Sequence, residues 1–99
     1  MLESVYETCL VHELTGRGVK VDRQVAVPIT YRDLRLDAGL RLDLLVDNQV
    51  VVELKAVENL LPVFDAQILS YLRLSGHRLG LLINFNVALI KDGIRRLIL

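Results

Sequence analysis

Two short segments hold the residues whose types and spacing can do chemistry: Arg41-Leu42-Asp43-Leu44-Leu45-Val46 and Val51-Val52-Glu53-Leu54-Lys55. Together they offer two carboxylates and an ammonium. Two carboxylates hold a hard divalent cation such as Mg²⁺, with Mn²⁺ as a substitute, which takes oxygen ligands and keeps several waters. The cation acidifies a bound water and neutralises phosphate charge, while a lysine orients that water or steadies the transition state. The chemistry open to such a set is phosphodiester hydrolysis. The plainer alternative is a charged strand face with one ion pair, which contributes little at a surface.

Register makes the first reading more specific. Opposed positions of two antiparallel strands sum to a constant, and Asp43 shares a face with Glu53 and Lys55 only if that sum is even. Pairing Asp43 with Glu53 meets the condition and requires an odd loop, Asp47-Asn48-Gln49. Leu42, Leu44, Val46, Val50, Val52 and Leu54 then fill one face. Asp43, Leu45, Val51, Glu53 and Lys55 share the other, facing the second helix. A two-residue loop mixes polar with apolar on both faces, against the rule that a buried face sets register.

The elements that must carry these strands follow closely on one another. Residues 2–15 read as a helix, with Leu2, Val5, Tyr6, Cys9, Leu10 and Leu14 on one face. Gly16 and Gly18 stop it. Val19 to Tyr31 switches to period two and reads as strand, Asp33 marks a turn, and Leu34 to Asp37 continues the meander. Leu40–Val46 and Val50–Leu54 are two further strands. Pro62 suits the first turn of a second helix that runs to Ser75 and closes on Gly76. Leu79–Phe85 is apolar almost throughout, as a strand covered on both faces is. Ile94–Leu99 reads as an edge strand after the turn Lys91-Asp92-Gly93. The order is helix, three-strand meander, helix, strand, with a last strand added.

Composition bounds the class. The 99 residues make one domain, residues 1–99, with 53% apolar and 24% charged residues, the balance of a folded chain. No apolar run reaches the roughly 20 residues that span a bilayer. No basic, apolar leader opens the chain, so a cytoplasmic protein without a membrane partner is expected. One cysteine excludes an internal disulfide and a cysteine zinc site. Twelve basic residues against twelve acidic give zero net charge, which argues against a non-specific nucleic-acid coat but not against a nuclease.

In the second helix, Val63, Phe64, Ile68, Tyr71, Leu74 and Ser75 fall on one arc with Gln67 near its middle. A buried glutamine costs a few kcal/mol unless its amide finds partners, and the acidic trio lies across the sheet. In the first helix, Glu3 and Glu7 lie at the rim of the apolar arc, where a glutamate can reach a site between helix and sheet. Glu13 falls inside the arc, Cys9 reads as packing, and Lys91, Arg95 and Arg96 as a solvated basic tail. His12-Glu13 lacks the second histidine of a zinc protease helix, no glycine-rich phosphate loop indicates a nucleotide cofactor, and Ser70, Ser75 and His77 make no triad.

These residues together resemble the GxxExxY proteins, a bacterial family of the PD-(D/E)xK nuclease superfamily. Glu3, Tyr6 and Glu7 stand in the pattern Glu-x-x-Tyr-Glu. The resemblance continues through Gln24, Tyr31, Gly39, Arg41-x-Asp43-Leu-Leu-Val, Val52-Glu53-Leu-Lys55-Ala, Ala66-Gln67-x-x-Ser70-Tyr71-Leu72, Asn84-Phe85-Asn86 and Lys91-Asp92-Gly93. It implies a restriction-endonuclease-like αβββαβ core of the α/β (α+β) class, a mixed sheet flanked by helices. It also implies that Asp43 and Glu53 bind metal and Lys55 is catalytic. The Gln67-x-x-x-Tyr71 spacing is similar to the extra motif of the RecB-type branch, which adds both residues to the catalytic set. Glu7, Leu10, Leu14 and Gly18 repeat a first-helix spacing of archaeal Holliday-junction resolvases, which makes Glu7 a metal-side candidate. Where the family often carries His-Glu before Ala66-Gln67, this chain has Phe64-Asp65.

Two function classes follow. One is a Mg²⁺-dependent deoxyribonuclease, endo- or exonucleolytic, serving repair, recombination or defence. The other is a nuclease-fold module that binds DNA or a partner protein without cutting. The intact trio favours the first; neutral charge and small size favour the second, or an enzyme completed as a homodimer.

Overall fold

The computed structural model describes residues 2–37 and 39–99. The elements are α1 (Glu3–Gly16), β1 (Val21–Ala26), β2 (Ile29–Tyr31), β3 (Leu34–Leu36), β4 (Arg41–Val46), β5 (Val50–Lys55), α2 (Pro62–Ser75), β6 (Leu79–Asn84), a 3₁₀ turn (Ile90–Gly93) and β7 (Ile94–Ile98). Five strands form one mixed sheet in the order β1-β4-β5-β6-β7. Neighbours are antiparallel except β5 and β6, which run parallel because α2 crosses over between them. This is the restriction-endonuclease-like arrangement expected from the sequence, with β7 as the edge strand.

Each helix covers one face. Leu44, Val52, Leu54 and Ile83 pack with Leu10 and Val11 of α1, whereas Leu42, Leu45 and Val51 pack with Ile68 and Leu72 of α2. Pro62 opens α2, and Gly76 closes it at φ +78° with its N–H on the Leu72 carbonyl. Gly80 lets α2 lie close on β6, since a Cβ there would stand 2.8 Å from Ile68 Cδ1.

Two differences from the sequence reading concern extended segments. Val19–Tyr31 is not one strand: β1 ends at Ala26, Val27 makes a last bond to the Leu40 carbonyl, and Pro28 has no N–H to continue. Beyond it, β2 and β3 form a separate hairpin around Arg32, which turns at φ +54°. In α1, Cys9 is exposed rather than packed, and Val5 and, just ahead of the helix, Leu2 are exposed as well. The inward residue is Glu7, the buried position of that helix.

Candidate active site

The loop between β4 and β5 has the expected odd length. The strands pair Leu44↔Val52, Leu45↔Val51 and Val46↔Val50, which leaves Asp47, Asn48 and Gln49 as the turn. Asp47 and Asn48 both adopt the left-handed conformation at φ +54°, which polar turn residues tolerate better than branched ones. The pairing extends in register to Asp43 opposite Glu53, but there the ladder changes character. The Asp43 N–H donates to Glu53 Oε1 at 3.3 Å, and the Leu54 N–H donates to Asp43 Oδ2 at 2.8 Å. Side-chain carboxylates stand in for backbone carbonyls, so the acidic residues meet where the ordinary strand pairing stops.

The trio does not lie on one face, however. Leu42 and Leu45 both reach the α2 side, and Leu44 the α1 side, so the alternation of β4 slips at Asp43. Opposite it, Gln24 in β1 has φ +50° and drops out of the ladder between Arg23↔Leu44 and Val25↔Leu42. Asp43 therefore opens towards α1, in a cleft of about 210 Å³ that it lines with Glu3, Ser4, Glu7, Gln24 and Leu54. Lys55 points the other way, its Nζ 4.6 Å from the centre of the Phe64 ring on α2. The site straddles the gap between β4 and β5. Strict strand alternation places all three groups beside α2, and the double irregularity at Gln24 and Asp43 overturns that placement.

Electrostatics single out Glu53, which is 7% exposed. Its burial first, and the neighbouring Asp43 charge second, push its carboxyl up to about 8. The Asp43 N–H and the Lys55 charge pull the other way without prevailing. A desolvated carboxylate beside a second one is a pair that a divalent cation would neutralise, and two carboxylates are what Mg²⁺ commonly takes from protein. The donor set fits such an ion. Among the described residues no group of three His, Cys, Asp or Glu side chains is close enough to hold one between them.

Glu7 reaches this region from α1, but its carboxylate is engaged. Arg23 donates to Oε2 at 3.0 Å and Gln24 donates to Oε1 at 2.8 Å. Gln67 is not buried near the acids: it is exposed, and its amide donates to the Tyr71 hydroxyl one turn along, at 2.9 Å. The buried line of α2 runs through Ile68 and Leu72, one residue out of phase with Gln67. That offset overturns the expectation of a core glutamine whose amide reaches the acidic pair.

Two residues that the sequence offered only as parts of motifs, without a role, support the site. Asn84, 4% exposed at the end of β6, accepts from the Val57 and Asn86 N–H groups and donates to the Val57 carbonyl. It clamps the loop that leaves Lys55. Tyr6 of α1 stacks on Phe85 at 4.4 Å between ring centres, which ties α1 to the same end of the sheet. The signal for Asn84 was a lone polar residue closing the apolar run Leu79–Phe85.

The family model for the PD-(D/E)XK nuclease superfamily matches residues 1–97. Neither the curated proteins nor the solved structures contain a match to the chain.

Proposed function

Because this chain belongs to the PD-(D/E)XK nuclease superfamily, we propose that it is a metal-dependent deoxyribonuclease whose site is built on Asp43, Glu53 and Lys55. The superfamily generally hydrolyses phosphodiester bonds and typically uses divalent metals. One observation carries the reading: Asp43 and Glu53 meet at the opening between β4 and β5, with Glu53 desolvated and raised to about 8. Glu7 belongs to the proposal as an outer group through the cleft it shares with Asp43, whereas Gln67, exposed and bonded to Tyr71, lends the RecB-type motif no support. The Glu-x-x-Tyr-Glu pattern of Glu3, Tyr6 and Glu7 supports the GxxExxY branch, and with it a bacterial, cytoplasmic setting. Among the described residues no helix is long and apolar enough to cross a membrane.

Asp43 and Glu53 each place one carboxylate oxygen on a backbone N–H, which leaves Asp43 Oδ1 and Glu53 Oε2 outside those bonds. These oxygens would hold Mg²⁺ or Mn²⁺. The cation, when bound, supplies charge against the phosphate and acidifies the attacking water. Lys55 offers an ammonium to the negative charge that develops on the phosphate oxygens. Water oxygen adds to phosphorus, the bond to the leaving sugar oxygen breaks, and that oxygen takes up a proton.

Asp43→Asn removes a ligand charge and is expected to abolish cleavage while DNA binding in Ca²⁺ survives. Lys55→Ala is expected to stop cleavage and to weaken binding. Single-turnover cleavage of several DNA structures across a Mg²⁺ titration tests this, with sedimentation of the same samples to measure self-association. The second reading, a non-cutting module, draws on the engaged state of Glu7. A chain that binds DNA equally with and without metal and cuts none in Mg²⁺ or Mn²⁺ establishes the module instead.

A further inference from the structure

Lys55 sits two residues beyond Glu53 on a flexible four-carbon stem, on the same side of β5 and near enough for its charge to act on that carboxyl. Left alone, such an ammonium folds onto the nearest acid. It does not do so here. The ion pairs within 4.0 Å among the described residues are Arg17–Glu13, Lys20–Asp22, Arg23–Glu7 and Arg95–Asp65, and none involves Lys55. Its Nζ lies instead over the face of Phe64, 4.6 Å from the ring centre. An aromatic face attracts a cation through its quadrupole yet cannot accept its proton or neutralise its charge.

Both partners of this contact stand on braced backbone. Phe64 is in the first turn of α2, its N–H on the Leu61 carbonyl at 3.0 Å. The next residue, Asp65, accepts from Arg95 of β7 at 2.6 Å, which pins that turn to the sheet edge. On the other side the Lys55 carbonyl accepts from the Phe85 N–H at 2.9 Å, and Asn84 holds Val57. Neighbouring Val63 is 61% exposed while Phe64 is turned inward, so the ring has a defined position.

We propose that Phe64 is a positioning residue for Lys55: its ring holds the ammonium away from Glu53, the acid on its own side of β5, so that this acid stays available to a cation and the lysine to a phosphate. This rests on the nuclease reading above, and it assigns a task to a side chain that otherwise counts only as packing.

The test compares Phe64→Leu and Phe64→Tyr in the intact chain. With carbon-13 in the lysine side chains, the Lys55 ε-methylene signals of the native protein and of Phe64→Tyr are expected upfield, under the ring. In Phe64→Leu they return to the ordinary lysine position. Mn²⁺ affinity, read by calorimetry, falls on the order of tenfold in Phe64→Leu, roughly 1.4 kcal/mol, because the released ammonium competes for Glu53. Cleavage shows a similar loss in kcat with KM for DNA little changed, and Phe64→Tyr restores it. Lys55 signals unmoved by Phe64→Leu, or Mn²⁺ affinity and kcat both unmoved, overturn the assignment. A native chain that cuts nothing overturns the nuclease reading, while the methylene signals and Mn²⁺ affinity still judge Phe64.

Discussion

Gln24 donates its side-chain amide to Glu7 at 2.8 Å, and does so from a left-handed backbone at φ +50° within β1. The bond spans strand and first helix beside the Asp43 cleft, and it satisfies a carboxylate that α1 buries. Strain held by a hydrogen bond of this kind is characteristic of functional regions.

The pair is separable by mutation. Gln24→Ala loses the amide and keeps the backbone strain, so it should destabilise by about 2–3 kcal/mol. Gln24→Gly loses the same amide but accepts positive φ freely, and should be more stable than Gln24→Ala by about 1 kcal/mol. Urea denaturation of the two variants checks the order; equal midpoints would refute a strained backbone.

Glu53 makes stability depend on pH. Its folded pKa, about 8, lies above the ordinary 4.5, so the folded state holds a proton that the unfolded state releases. Its contribution is fully present below pH 4.5, is lost as pH rises towards about 8, and is level beyond. Each pH unit inside that window costs up to roughly 1.4 kcal/mol. Glu53→Gln should flatten the slope. Millimolar Mg²⁺ should raise Tm more at pH 8.5 than at pH 5, and calorimetry at the two pH values measures both effects.

Two glycines bear on packing unequally. Gly80→Ala meets the end of the Ile68 side chain, which gives way at a cost of about 1–2 kcal/mol. Gly93→Ala drives its Cβ into the Asn84 backbone carbonyl, which has no such freedom, and should cost about 3 kcal/mol or more. Thermal melts of the two single variants rank them.

Asn84→Ala removes three hydrogen bonds at once and should cost about 2–4 kcal/mol. The sharper signature is local. Hydrogen exchange at the Val57 and Asn86 amides should accelerate far more than at buried β5 positions such as Val52. A uniform acceleration would mean that Asn84 supports the whole fold rather than the loop after Lys55.

What the residues announce depends on how local the cause is. The register of β4 on β5 and the odd turn at Asp47-Asn48-Gln49 follow from apolar alternation, and both are present. The slip at Asp43 is illegible in that pattern, because it arises when Gln24 and two carboxylates replace backbone partners across three strands. Glu7 reads as a rim residue since its partners, Arg23 and Gln24, come from another element. Gln67 reads as buried because Val63 and Leu74 count towards the apolar arc, yet both are exposed. Phe64 reads as core for the same reason, and only geometry reveals Lys55 on its face.

The turn at Asp47-Asn48-Gln49 acts on β5 much as a reading frame acts on a message. A change of one residue in its length puts every later side chain out of phase, exchanging Glu53 and Lys55 for Val52 and Leu54. A change of two restores the phase and merely lengthens the excursion. Variation in this turn is therefore tolerated by parity rather than by size: a pair of inserted residues is milder than a single deletion. The site's tolerance to length change is set at the far end of the strands, away from Asp43, Glu53 and Lys55.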